Sequence, residues 1–118
     1  PIEPTPGATV KELTTIACRV HDLVSGVDFG SLQVTLRLPR GSALASRLLV
    51  SRGRYLYSSP DGSIRSGSAA KDGLRCPVPK PTPPGSYTVV VEAKDVLGKA
   101  GRREWTFELK PPAGGAKR

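Results

Sequence analysis

Apolar and polar residues alternate along four stretches of the chain, and this period of two predicts β-strands with one buried face. The stretches are TTIACRV (14–20), SLQVTLRL (31–38), SYTVVVEAKD (86–95) and RREWTFELK (102–110). We therefore predict that the inward residues of the four strands form one core. These residues are Ile16, Cys18, Val20, Leu32, Val34, Leu36, Leu38, Tyr87, Val89, Val91, Ala93, Trp105, Phe107 and Leu109.

Three shorter stretches complete the predicted strands. LRCPV (74–78) alternates as well, but Pro77 cannot donate a backbone hydrogen bond and so predicts an edge or a strand end. ASRLLVS (45–51) and RYLYS (54–58) are further strands, and the polar segment 60–73 is predicted to be a loop or a loose hairpin. No segment keeps a 3.6-residue period over three turns, so we expect negligible helix.

About seven short strands in roughly 100 residues are typical of an all-β, two-sheet antiparallel sandwich. A small barrel is the alternative. Residues 1–7 and 111–118 are rich in Pro, Gly and charge, which predicts a linker and a flexible tail around one domain at 8–110. Such flanks suit a module of a longer chain.

The net charge of the chain bears on its possible partners. Lys and Arg number 18 against 10 Asp and Glu, a net charge of +8, which favours polyanionic neighbours. No run approaches the 18 or so apolar residues of a membrane span.

The segment 81–110 resembles the last two strands of bacterial Ig-like and fibronectin type III-like domains of secreted and cell-surface proteins. The segment 22–28 fits the second-strand corner of the same family. Antibody-type domains fit poorly, because Val89 stands where their second Cys would be. The residues that carry the resemblance are Asp22, Ser25, Gly26, Val27, Asp28, Pro84, Gly85, Tyr87, Val89, Val91, Ala93, Asp95, Gly98, Trp105 and Phe107.

This resemblance implies an Ig-like sandwich in which Tyr87 ties the preceding loop to the sheet as a tyrosine corner. It also implies a non-catalytic extracellular or cell-surface module that acts as a spacer, adhesion or assembly domain. Its expected partners are neighbouring domains of the same chain, another protein or an acidic polysaccharide. Nucleic acid is a weaker expectation, and no resident cofactor is predicted apart from the calcium considered below.

In the topology that the resemblance implies, Cys18 and Cys76 lie on neighbouring strands of one sheet. A disulfide between them is one interpretation, because it would leave no unpaired cysteine in a secreted domain. Two buried thiols that act as small apolar side chains are the other.

In the same topology the loops after the second and sixth strands leave one end of the sandwich, which would bring Asp22 and Asp28 towards Asp95. Three carboxylates with backbone carbonyls suit calcium. The alternative is that the aspartates accept backbone N–H groups of their own turns.

No acid occurs between Asp28 and Asp61, whereas arginines recur there beside two tyrosines. An alternative function is therefore a polyanion- or carbohydrate-binding accessory module, although such a run is more often a solvated strand face. His21 is expected at the surface, and no nucleophile motif or phosphate-binding loop accompanies it, so we predict that the chain is not an enzyme. The candidate polyanion-binding residues are Arg37, Arg47, Arg52, Arg54 and Tyr55.

Overall fold

A computed structural model describes residues 2–18, 27–42, 44–58, 67–68, 74–79 and 82–111. These residues form nine β-strands and no helix. In chain order the strands are β1 (Thr9–Val10), β2 (Thr15–Cys18), β3 (Val27–Arg37), β4 (Ser46–Ser51), β5 (Arg54–Tyr55), β6 (Gly67–Ser68), β7 (Leu74–Pro77), β8 (Gly85–Asp95) and β9 (Ala100–Leu109).

The strands form two sheets. The larger has seven strands in the order β1-β9-β8-β3-β4-β5-β6, and the smaller pairs β2 with β7. All pairings are antiparallel except that of β1 with β9. The predicted all-β, two-sheet sandwich is therefore confirmed.

Strand β8 is an inner strand of the larger sheet and makes its longest pairing. It pairs with β9 without interruption from Gly85↔Leu109 to Lys94↔Ala100, and with β3 on its other side. Directly opposed residues share a face of the sheet, so the alternation of β8 extends to both neighbours. Its inward residues Tyr87, Val89, Val91 and Ala93 are all buried.

The core lies between the two sheets and is made by the alternating residues that the sequence predicts. Every inward residue of the predicted set that lies in a described strand is buried; Leu38 follows β3 and packs against the core, while Val20 lies outside the described residues. The other core residues are Leu13, Leu49, Val50, Tyr55, Leu74 and Cys76.

The β3–β8 ladder is irregular near the start of β3. Its register shifts between Asp28 and Gln33, so the strands cannot exchange backbone bonds continuously there. The Ser31 hydroxyl fills part of the gap: it accepts the Lys94 N–H at 2.8 Å and donates to the Asp28 carbonyl at 2.7 Å. One side chain thus satisfies backbone groups of both strands.

The segment predicted as an N-terminal linker contacts both sheets. Glu3 exchanges two backbone hydrogen bonds with Ala17 of β2, and the Trp105 indole donates to the Pro4 carbonyl at 3.0 Å. Ile2 packs against the core, and Pro4 is buried. Composition alone did not indicate these contacts, because prolines interrupt any alternation here.

Tyr87 forms the expected corner. Its hydroxyl donates to the Pro83 carbonyl four residues earlier, and its ring stacks on Phe107 with centroids 5.5 Å apart. Gly85 lets the chain enter this corner, since a Cβ on it would come within 2.7 Å of Pro39. Burial raises the pKa of the Tyr87 phenol.

Removing the corner bond should destabilise the domain. We expect Tyr87→Phe to lower the free energy of unfolding by about 1–3 kcal/mol, because it leaves the Pro83 carbonyl without this donor in a half-buried setting. Urea denaturation measures the loss. Tyr57→Phe is the control, because it removes a hydroxyl whose hydrogen bond from Arg47 is long, at 3.4 Å. Equal losses of stability in the two variants would contradict the role of the corner.

Candidate functional site

Cys18 and Cys76 lie side by side on the inner face of the smaller sheet. The register pairs Ile16 with Cys76 and Cys18 with Leu74, so the cysteines are diagonal neighbours on one face. Both are buried. The prediction that their strands adjoin in one sheet is confirmed.

No disulfide joins Cys18 and Cys76 in the structure. Burial is the main reason that the pKa of the Cys76 thiol is far above its usual range, and the nearby Cys18 raises it further. Desolvation penalises a thiolate, so at neutral pH Cys76 holds its proton unless a cation replaces it.

The register gives the physical reason why the predicted disulfide is not formed in the structure. Diagonal residues of an antiparallel pair are typically about 7–8 Å apart at Cα. A disulfide needs Cα atoms about 4.4–6.8 Å apart and sulfurs at about 2.05 Å. The sequence predicts neighbouring strands, but it does not contain the two-residue offset that decides between opposed and diagonal cysteines.

The candidate calcium ligands do not form a cluster in the described part of the chain. Asp28 pairs with Lys94, and Asp95 with Val27, which places Asp28 and Asp95 on opposite faces of the sheet. Each carboxylate accepts bonds within its own turn: Asp28 from the Gly30 amide at 3.1 Å, and Asp95 from two amides at 2.8 and 2.9 Å. Asp22 lies outside the described residues.

The candidate polyanion-binding residues are spread along the β3–β4–β5 region of the larger sheet. Arg37 and Arg54 are exposed at opposite ends of the β3–β4–β5 region: their ladder partners Ser46 and Ser51 are five residues apart, or about 16 Å along a strand. Arg52 lies in the β4–β5 turn with a positive φ of 52°.

The two tyrosines of this region have different environments. Tyr55 is buried, and its hydroxyl accepts the backbone N–H of Arg75 at 3.0 Å. Arg47 instead lies over the ring of Tyr57, with its guanidinium carbon 5.9 Å from the ring centroid. Neighbouring residues of a strand face opposite sides, so the charged Arg54, which favours solvent, could have indicated that Tyr55 faces inward.

No group of three or more His, Cys, Asp or Glu is placed to hold a metal ion in the part of the chain that the structure describes. Within those same ranges, no helix is long and apolar enough to cross a membrane. His21 lies in the segment 19–26, outside the described residues. The two cysteines are nevertheless neighbours on one face of the smaller sheet.

Sequence reasoning missed the tip of the β8–β9 hairpin. Val96 and Leu97 are 76% and 91% exposed there, the highest values among the large apolar residues that the structure describes. The available signal was the pair of apolar residues between Asp95 and Gly98, two residue types that favour turns.

No family model and no curated protein matches the chain. Solved structures do match. CopC from Methylosinus trichosporium OB3b aligns with a TM-score of 0.56 and 17% identity over 94% of this chain and 90% of that one. PcoC, a copper resistance protein from Escherichia coli, aligns with a TM-score of 0.51 and 17% identity over 92% of this chain and 95% of that one.

These matches confirm an Ig-like β-sandwich, whereas the fibronectin type III part of the resemblance gains no support from a family model. They also correct two predictions. The spacer, adhesion or assembly function, with its polyanion-binding alternative, is wrong, because the matching structures are CopC and a copper resistance protein. The prediction of no cofactor other than calcium is wrong for the same reason. The chain shares the sandwich fold of CopC and PcoC.

Proposed function

We propose that this chain is a non-catalytic copper-binding domain of the bacterial cell envelope and that Cys18 and Cys76 hold the ion. The observation that carries the proposal is the pair of adjacent thiols inside a sandwich similar to that of a copper resistance protein. Copper is cargo here, bound and released without any reaction.

The available ligands favour monovalent copper. The chain contains no methionine and one histidine, and the Asp28 and Asp95 carboxylates are engaged by backbone amides. Thiolates are soft ligands that select Cu(I), whereas Cu(II) prefers nitrogen and oxygen ligands in a tetragonal arrangement. The adjacent cysteines therefore favour Cu(I) over Cu(II).

The diagonal register suits one shared ion better than a direct bond. Two thiolates bound to the same metal, at a metal–sulfur distance near 2.3 Å for zinc, have sulfurs up to about 4.6 Å apart. A disulfide would need about 2.05 Å. The offset that disfavours the disulfide therefore leaves room for a cation between the two side chains.

The position of the pair also favours entry of an ion. Cys18 is the last residue of β2, and its partner Leu74 is the first residue of β7, so the pair lies at one end of a sheet of only two strands. Strand ends open at lower free energy than strand centres, so opening the Cys18↔Leu74 rung would loosen the sheet two rungs from Cys76.

The remaining predictions belong to this proposal. The domain spans residues 8–110 of a secreted or surface-exposed chain, and residues 2–4 of its N-terminal flank pack against the sandwich. Neighbouring domains of that chain are its expected partners.

A thiol assay tests whether the site is reduced. We expect two thiols to react with a chromogenic disulfide reagent after denaturation without reductant, and a much slower reaction in the native protein, because burial disfavours the thiolate. Finding no thiol in the denatured protein would show that the cysteines are bonded and would remove the site.

Competition with a chromophoric Cu(I) chelator under anaerobic conditions tests binding. The wild-type chain should remove one equivalent of Cu(I), and the Cys18→Ala and Cys76→Ala variants should each lose at least about tenfold in affinity, because one thiolate replaces two. Circular dichroism of both apo variants verifies the fold.

His21→Ala is the matched control, because imidazole also binds copper and His21 follows Cys18 by three residues. It should retain the wild-type affinity. Wild-type affinity in the Cys18→Ala/Cys76→Ala double variant would refute the assignment of the site, and failure of the wild-type chain to compete would refute the proposed function.

Copper affinity should increase with pH. Burial holds the Cys76 pKa above its usual range, so binding must displace its proton, and each displaced proton makes the affinity rise about tenfold per pH unit. Chelator competition between pH 6 and 8 measures this slope. A pH-independent affinity would contradict binding to protonated thiols.

A further inference from the structure

The tip of the β8–β9 hairpin exposes two adjacent apolar side chains. Val96 and Leu97 are 76% and 91% exposed and follow the last rung at which β8 pairs with β3, Val27↔Asp95. Burying a side chain of this size is favourable by roughly 1.5–3 kcal/mol, so the exposed tip offers free energy to a partner that covers it.

The backbone of this tip is well defined by hydrogen bonds. The Asp95 carboxylate accepts the amides of Leu97 at 2.9 Å and Lys99 at 2.8 Å, and the Gly98 amide donates to the Asp95 carbonyl at 2.9 Å. Gly98 supplies the positive φ of 88° that the turn needs. The apolar pair is therefore held outward, at little further cost in conformational entropy on binding.

Charges beside the tip indicate the kind of partner. Lys94 and Lys99 flank the apolar pair and are exposed, while the Asp95 carboxylate is turned towards the amides of its own loop. Asp28 lies opposite Lys94 in the ladder and offsets part of that charge. The whole chain carries +8, so it is attracted to an anionic surface at longer range.

We propose that the β8–β9 tip is a membrane-contact site: Val96 and Leu97 insert into the interface of an anionic lipid bilayer while Lys94 and Lys99 contact the headgroups. A projecting tip needs a preformed pocket in a protein partner, but a fluid bilayer accommodates it without one. Apolar insertion combined with cationic contact is the general basis of peripheral membrane binding. This site is independent of the cysteine pair.

Copper-free protein and vesicles test the site. We expect sedimentation with vesicles that contain phosphatidylglycerol, and weaker binding to pure phosphatidylcholine. Val96→Ser/Leu97→Ser should weaken binding about tenfold or more, and Lys94→Gln/Lys99→Gln about 25-fold on anionic vesicles at low salt. Leu44→Ser/Leu56→Ser is the matched control, since these residues are 45% and 44% exposed outside the hairpin.

Fluorescence distinguishes insertion from attraction by charge alone. In Leu97→Trp the emission of the new indole should shift to shorter wavelength on anionic vesicles and be quenched by brominated lipid. Leu56→Trp should show neither change. The native Trp105 is buried and gives a constant background. Absence of vesicle binding, or unchanged binding in Val96→Ser/Leu97→Ser, would overturn the proposal. An unshifted Leu97→Trp emission on anionic vesicles would also overturn it and would leave a protein partner as the alternative occupant.

Discussion

The double pairing of β8 is the constraint on which the neighbouring strands of the larger sheet depend. Because β9 and β3 are both hydrogen-bonded to it, its alternation fixes which residues of all three strands face the core. A shift of one residue would expose Tyr87, Val89 and Val91 together, so the register is strongly specified. The corner bond from Tyr87 to Pro83 fixes where this strand begins.

Period-two alternation made most of this fold predictable. The long strands β3, β8 and β9 have enough residues to show the pattern, and their inward sets were identified correctly wherever the structure describes them. The two-residue strands β1 and β6 are too short to alternate, and they form only because neighbouring strands offer an edge. Ser31 was not predictable, because its role arises from a register shift between two strands.

The site was less predictable than the fold for a related reason. Sequence placed Cys18 and Cys76 on adjacent strands, but whether they are opposed or diagonal depends on an offset of two residues between β2 and β7. That offset separates a disulfide from a pair of thiols. The same applies to Asp28 and Asp95, which are close along the ladder yet lie on opposite faces. Strand topology decides which residues come near each other, whereas the register decides whether their side chains can bond or bind one ion.

X-ray absorption at the copper edge, on protein loaded with one equivalent of Cu(I), tests most directly whether the cysteine pair holds the ion. Two thiolates as the only ligands predict a first shell that contains sulfur and no nitrogen or oxygen. A first shell dominated by nitrogen or oxygen would contradict the account, since it would place the ion away from Cys18 and Cys76.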